Sequence, residues 1–152
     1  QKDPRDAIAQ PRFTALLQKL AALYGDLATR VHGYSPGTVV LLNEYDFAIP
    51  DGRGVPFAGP WLEPGFTARG YDATTLAFRS SVVRLLLEQF AAMLEDLHRV
   101  YPFMQPMHTQ GLLQPRDWAN ELHPTNSGFR RIAGVFLEAL RQIEQRPARR
   151  HM

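Results

Sequence analysis

The segment Ser35-Pro36-Gly37-Thr38-Val39-Val40-Leu41-Leu42 decides the fold class. Ser-Pro-Gly is a turn signal. The five residues after it form an almost unbroken apolar run, rich in β-branched side chains. Such a run fits a strand buried on both faces, as in a parallel sheet. Upstream, Phe13, Leu16, Leu17, Leu20, Leu23, Tyr24, Leu27 and Val31 recur at steps of three and four. That spacing predicts a helix from Pro11 to about Gly33. A helix feeding a buried strand is half of a βαβ unit and points to an α/β fold.

Downstream, residues 43–72 form a long loop rich in Pro and Gly that also holds Tyr45, Phe47, Phe57, Trp61, Phe66 and Tyr71. Loops of this kind at the carboxyl end of a central strand build sites or serve as lids. Asp72 or Thr74 can cap the next helix. Its apolar stripe runs from Leu76 to Leu97, and Tyr101-Pro102 should end it. Phe103–His108 reads as a short strand, which Pro106 confines to an edge. A final amphipathic helix is expected from Asn126 to Gln145. The chain thus divides into a polar, frayed lead-in (1–10), a folded part (11–145) and a basic tail (146–152).

The 152 residues, 45% of them hydrophobic and 21% charged, suffice for one domain with a core. Net charge is only +2, and much of the Arg excess sits in the tail, so no nucleic-acid partner is expected. The chain has no cysteine, which excludes disulfides, thiol catalysis and Cys-based metal sites. No apolar run is long enough to span a membrane.

Of five histidines, His98 reads as a surface residue and His32 as a helix-end residue, His108 is ambiguous, and His151 lies in the tail. None shows metal-ligand spacing, so neither a metal nor another cofactor is expected. His123 has a distinctive setting. Pro124 follows it, then Thr125-Asn126-Ser127-Gly128 and a helix, while Asp117, Asn120 and Glu121 lie just upstream. A general-base imidazole needs a fixed ring and a partner for its second nitrogen, and this turn can supply both.

The stretch Asp117–Ala133, DWANELHPTNSGFRRIA, resembles the last block of the SGNH (GDSL-type) hydrolases, which reads Asp-x-x-His-Pro, then Gly and an amphipathic helix. A second stretch is similar to one branch of that superfamily: Val39–Pro50, ending its strand in Tyr45-Asp46, continued by Gly59-Pro60-Trp61-Leu62. The resemblance spans most of Thr38–Leu140. It implies a three-layer α/β/α sandwich with a parallel sheet, of which this chain is the C-terminal half. It also implies serine ester hydrolysis of acyl or acetyl esters with His123 as general base. Tyr45, Asp46 and Trp61 then become candidate contacts for a small-molecule ester. The family's Gly-Asp-Ser and Gly-x-Asn blocks do not occur. With Gln1 rather than Met at the start, the expectation is a nucleophile on an N-terminal segment of the same protein. The family's acid falls at Asn120, an amide, so the residue orienting His123 stays open between Asn120, Asp117 and a backbone carbonyl. A carbohydrate- or acyl-binding module without catalysis on the same scaffold is the alternative.

Overall fold

A computed structural model of the chain describes residues 3–71 and 74–145. The tail 146–152, with His151, and the candidate cap Asp72 lie outside the described residues.

The fold is mixed α/β. Helix α1 spans Gln10–Tyr34, strand β1 Val40–Asn43, helix α2 Glu63–Thr67, helix α3 Leu76–Val100, strand β2 Met104–Met107 and helix α4 Asn126–Glu144. The two strands pair in parallel, with Val40 opposite Met104 and Asn43 opposite Met107. Pro106 sits opposite Leu42 within β2. Lacking an N–H, it donates nothing to a ladder, which suits a strand with one side unpaired.

Helices α1 and α3 pack against this pair. Ala28, Leu42, Met93, Leu94, Leu97 and Met104 are buried together, with Leu17, Leu20, Tyr24 and Phe103 around them. A second cluster joins Ala48, Val83, Leu113 and Trp118 beneath the long loop. Burying side chains of this size contributes roughly 1.5–3 kcal/mol each, which anchors the loop as well as the helices. The apolar stripes are only partly covered. Leu23 of α1 is 63% exposed, and Phe129, Leu137 and Leu140 of α4 are each about half exposed.

Several local expectations are corrected. The lead-in is not frayed throughout: Pro4–Ala7 form a 3-10 turn capped by Asp3 and packed near α3. Pro4 favours this start because its fixed φ suits a first helical position. Helix α1 runs through Gly33 to Tyr34, since an isolated Gly in a helix costs only about 1 kcal/mol. Thr75, not Thr74, caps α3 by accepting from the Phe78 N–H. The loop contains α2, a single turn begun at Glu63-Pro64.

Candidate functional site

The His123 turn is built from backbone first. Ala119 N–H donates to the His123 carbonyl at 2.9 Å, and Thr125 N–H donates to the Asp117 carbonyl at 2.7 Å. Trp118 and Pro124 form an isolated antiparallel bridge. Thr125 caps α4, its hydroxyl oxygen accepting from Gly128 N–H. The helix can start this close only because residue 128 is Gly. A Cβ there would stand 2.5 Å from the Asp117 carbonyl oxygen and 2.8 Å from Pro124 Cβ.

Asn120 fills the centre of the turn. Its side-chain oxygen accepts from the N–H of Leu122 at 3.0 Å and of His123 at 2.9 Å. The same oxygen lies 3.1 Å from His123 Nδ1. An amide oxygen can only accept, so this contact selects the Nδ1–H tautomer and leaves the Nε2 lone pair outward. The ring itself is exposed. Among the described residues nothing hydrogen-bonds Nε2. The edge of Trp61 braces the ring, with centroids 5.7 Å apart at 77°.

Asp117 is placed elsewhere. Its buried carboxylate accepts from Gln114 N–H at 3.0 Å, pairs with Arg131 Nε at 3.4 Å and meets the Ser127 hydroxyl at 3.3 Å. The Gln114 hydrogen bond, with help from Arg131, Ser127 and Arg116, holds its pKa below the ordinary Asp value against the opposing effect of burial. Asp117 therefore fixes the start of α4. Of the open alternatives, Asn120 is the one whose side chain meets the His123 ring.

The long loop is tied to this turn by Glu121, whose side chain is fully buried. One carboxylate oxygen accepts from Gly52 and Glu63 N–H at 3.0 and 2.9 Å. The other accepts from Trp61 and Leu62 N–H at 2.6 and 2.7 Å. Glu121 N–H donates to the Arg53 carbonyl, and the Arg53 guanidinium donates to the Trp118 carbonyl. Four donors satisfy a buried charge that would otherwise be strongly destabilising.

Tyr45 and Asp46 leave β1 beside the turn. Tyr45 has φ 64°, a left-handed conformation that costs a non-glycine residue roughly 1–2 kcal/mol. Asn43 Oδ1 accepts its N–H at 3.1 Å, and its hydroxyl donates to the Leu122 carbonyl. Burial raises its pKa. Asp46, expected as a substrate contact, is buried and its oxygens are occupied. They accept from Phe47, Gly111 and Leu113 N–H, each at 2.6 Å. Asp46 is thus a strut for the 108–114 loop and at the same time lines the cavity beside His123. A cavity of about 190 Å³ lies between Tyr45, Asp46, Trp118, His123, Phe129 and Ile132. Trp61, partly exposed, stands at the His123 ring and also lines a larger apolar cavity of about 440 Å³ with Phe13, Phe66 and Leu86.

Two more histidines find partners that spacing did not reveal. His98 is half-buried and donates from Nδ1 to the Met104 carbonyl at 2.7 Å, so it is not a plain surface residue. His108 Nδ1 lies 2.7 Å from Glu44 Oε1 and 3.8 Å from Glu95 Oε1. The sequence showed no metal-ligand spacing, but three separate elements bring these residues together. The anchoring role of Glu121 is likewise invisible in the sequence spacing, because its donors lie about sixty residues away. Its only signal is a carboxylate inside an otherwise tight turn.

No described helix is long and apolar enough to cross a membrane. Compared with known proteins, the chain matches no protein-family profile, no curated protein and no solved structure.

Proposed function

We propose that this chain is the histidine-bearing part of an SGNH-type serine ester hydrolase, with His123 as the general base. The observation that carries the reading is the 3.1 Å contact between Asn120 Oδ1 and His123 Nδ1. It fixes ring and tautomer, and it presents a free Nε2 lone pair beside Trp61 and a cavity. A hydroxyl brought to Nε2 would give up its proton there as it attacks an ester carbonyl. Asn120 holds the ring but adds no negative charge to steady the imidazolium that forms, so the base is weaker than one paired with Asp.

The nucleophile in this reading comes from a segment outside the chain. Among the described residues no serine hydroxyl bonds His123: Ser81 donates to the Ala77 carbonyl, and Ser127 to Asp117. The proposed architecture is the C-terminal half of an α/β/α sandwich. A two-stranded parallel sheet and half-exposed apolar residues on α1 and α4 leave surface that a companion segment would cover.

The test is hydrolysis of short p-nitrophenyl esters by the gene product with any coding sequence upstream of Gln1 included. His123→Ala is expected to abolish turnover while leaving the fold intact. Unchanged turnover in that variant sinks the mechanism.

A second reading keeps the pocket without the chemistry. The amide at Asn120 favours a module that binds an acyl or sugar group at Trp61 and Tyr45. Ligand binding with no turnover in that same gene product would select it.

A further inference from the structure

We infer that Glu44, Glu95 and His108 form a binding site for a divalent transition-metal ion, separate from the His123 turn and independent of the ester-hydrolase reading. The three residues come from three elements. Glu44 follows β1, His108 follows β2, and Glu95 projects from α3. Their candidate ligand atoms all lie within 4.8 Å of one another. Parallel pairing is what joins the first two, since Asn43 opposite Met107 brings the next residues of both strands side by side.

Charge is the first argument. Glu44 is buried, and its side chain is only 6% exposed. A second carboxylate stands close by, and among the described residues no Lys or Arg pairs with either. Arg131 lines the same groove, as do His98 and Glu138, but its guanidinium is engaged by Asp117. One imidazole can offset at most one of the two negative charges. A divalent cation offsets both, including the charge on Glu44, which is shielded from water.

The second argument is an orphaned atom. Glu95 Oε1 is buried and has no hydrogen-bond partner, though it faces His108 Nδ1. Such an oxygen is costly unless something fills its lone pairs.

Geometry is the third. Zinc takes His nitrogen and carboxylate oxygen at about 2.0–2.2 Å, so ligand atoms on a tetrahedron stand roughly 3.4 Å apart. The observed 2.7 and 3.8 Å bracket that value. The His108 side chain is 76% exposed and that of Glu95 37%, so small rotations of either close the triangle. One nitrogen with carboxylate oxygens suits Zn²⁺, Co²⁺ or Mn²⁺ better than Ca²⁺. A metal on Nδ1 takes the place of the hydrogen that faces Glu44, and in the neutral ring that proton moves to Nε2 on the exposed side. The exposed side leaves coordination positions for water or an anionic ligand.

The experiment is calorimetric titration of the full chain with Zn²⁺ and, separately, Co²⁺ followed by its visible absorption. Saturable one-to-one binding is expected. His108→Ala and Glu95→Gln lie on the exposed side of the cluster and leave Glu44 in place, and circular dichroism checks their fold. Each should weaken binding by at least roughly tenfold, the scale of loss seen when even an outer-shell partner is removed. Absence of one-to-one binding in the wild-type chain overturns the proposal. So does unchanged affinity in either variant, because ligands outside this cluster, such as the exposed His123 imidazole, would then hold the ion.

Discussion

Asn120 Oδ1 holds His123 through two bonds at once, one to the backbone N–H at 2.9 Å and one to the ring Nδ1 at 3.1 Å. Ring orientation and turn geometry therefore share a single acceptor. Asn120→Ala should free the ring, and long-range proton–nitrogen NMR should show the Nδ1–H tautomer giving way to a mixture. An unchanged tautomer would mean that the ring is held by Trp61 alone.

Asn120→Asp keeps an acceptor in place and adds the missing charge. Under the proposed ester-hydrolase reading it should raise kcat by at least about tenfold, a fraction of the ~10⁴ that separates Asp from Asn in a Ser–His–Asp triad. A fall in kcat at constant stability would count against His123 as base.

Gly128→Ala should destabilise the chain by about 1–3 kcal/mol, because its Cβ would collide with the Asp117 carbonyl and Pro124. Gly134→Ala is the control within the same helix. No atom lies within 4 Å of a Cβ there. It should stabilise by about 0.5–1 kcal/mol through helix propensity. Thermal melts of the two variants should move in opposite directions.

Glu121→Ala removes the acceptor from four buried N–H groups and should cost about 3 kcal/mol or more. Amide exchange at Gly52 and at 61–63 should accelerate more than at α3. Uniform acceleration would show that the loop and the core open together.

Asp117 gives the acid dependence a sign. Its folded pKa lies below the usual Asp value, so the unfolded state takes up the proton first as pH falls. Its contribution is present above the unfolded pKa and is lost as pH falls through the folded one. The stability gap between wild type and Asp117→Asn should therefore shrink below about pH 4, the unperturbed Asp range. A gap that is flat with pH would assign the effect to packing.

The helices were legible because their apolar spacing is local. Phe90, Leu94 and Leu97 announce α3, and the Thr38–Leu42 run announces β1, although the expected burial on both faces is not met: within Val40–Asn43 only Leu42 is buried. The Asn120–His123 contact was half legible, since three residues separate the partners but a carboxylate at 117 competed for the role. Position decided it: Asp117 is drawn to Gln114 and Arg131, whose nearness depends on how α4 docks. Asp46 was legible only as a neighbour of the cavity it lines; its structural partners, Gly111 and Leu113, lie far along the chain. Glu44, Glu95 and His108 converge only once the strands are in register and α3 is laid beside them. No one-dimensional spacing encodes that.

The buried carboxylate of Glu121 also sets rules for how the loop can change in length. Its four donors flank the middle of the loop, Gly52 on one side and 61–63 on the other. Residues between 54 and 59 carry none of that anchoring. Insertions beside the exposed Phe57 should leave the histidine undisturbed, whereas one added residue between 61 and 63 would unseat it. A change in loop length is thus tolerated best in a window bounded on both sides by the same side chain.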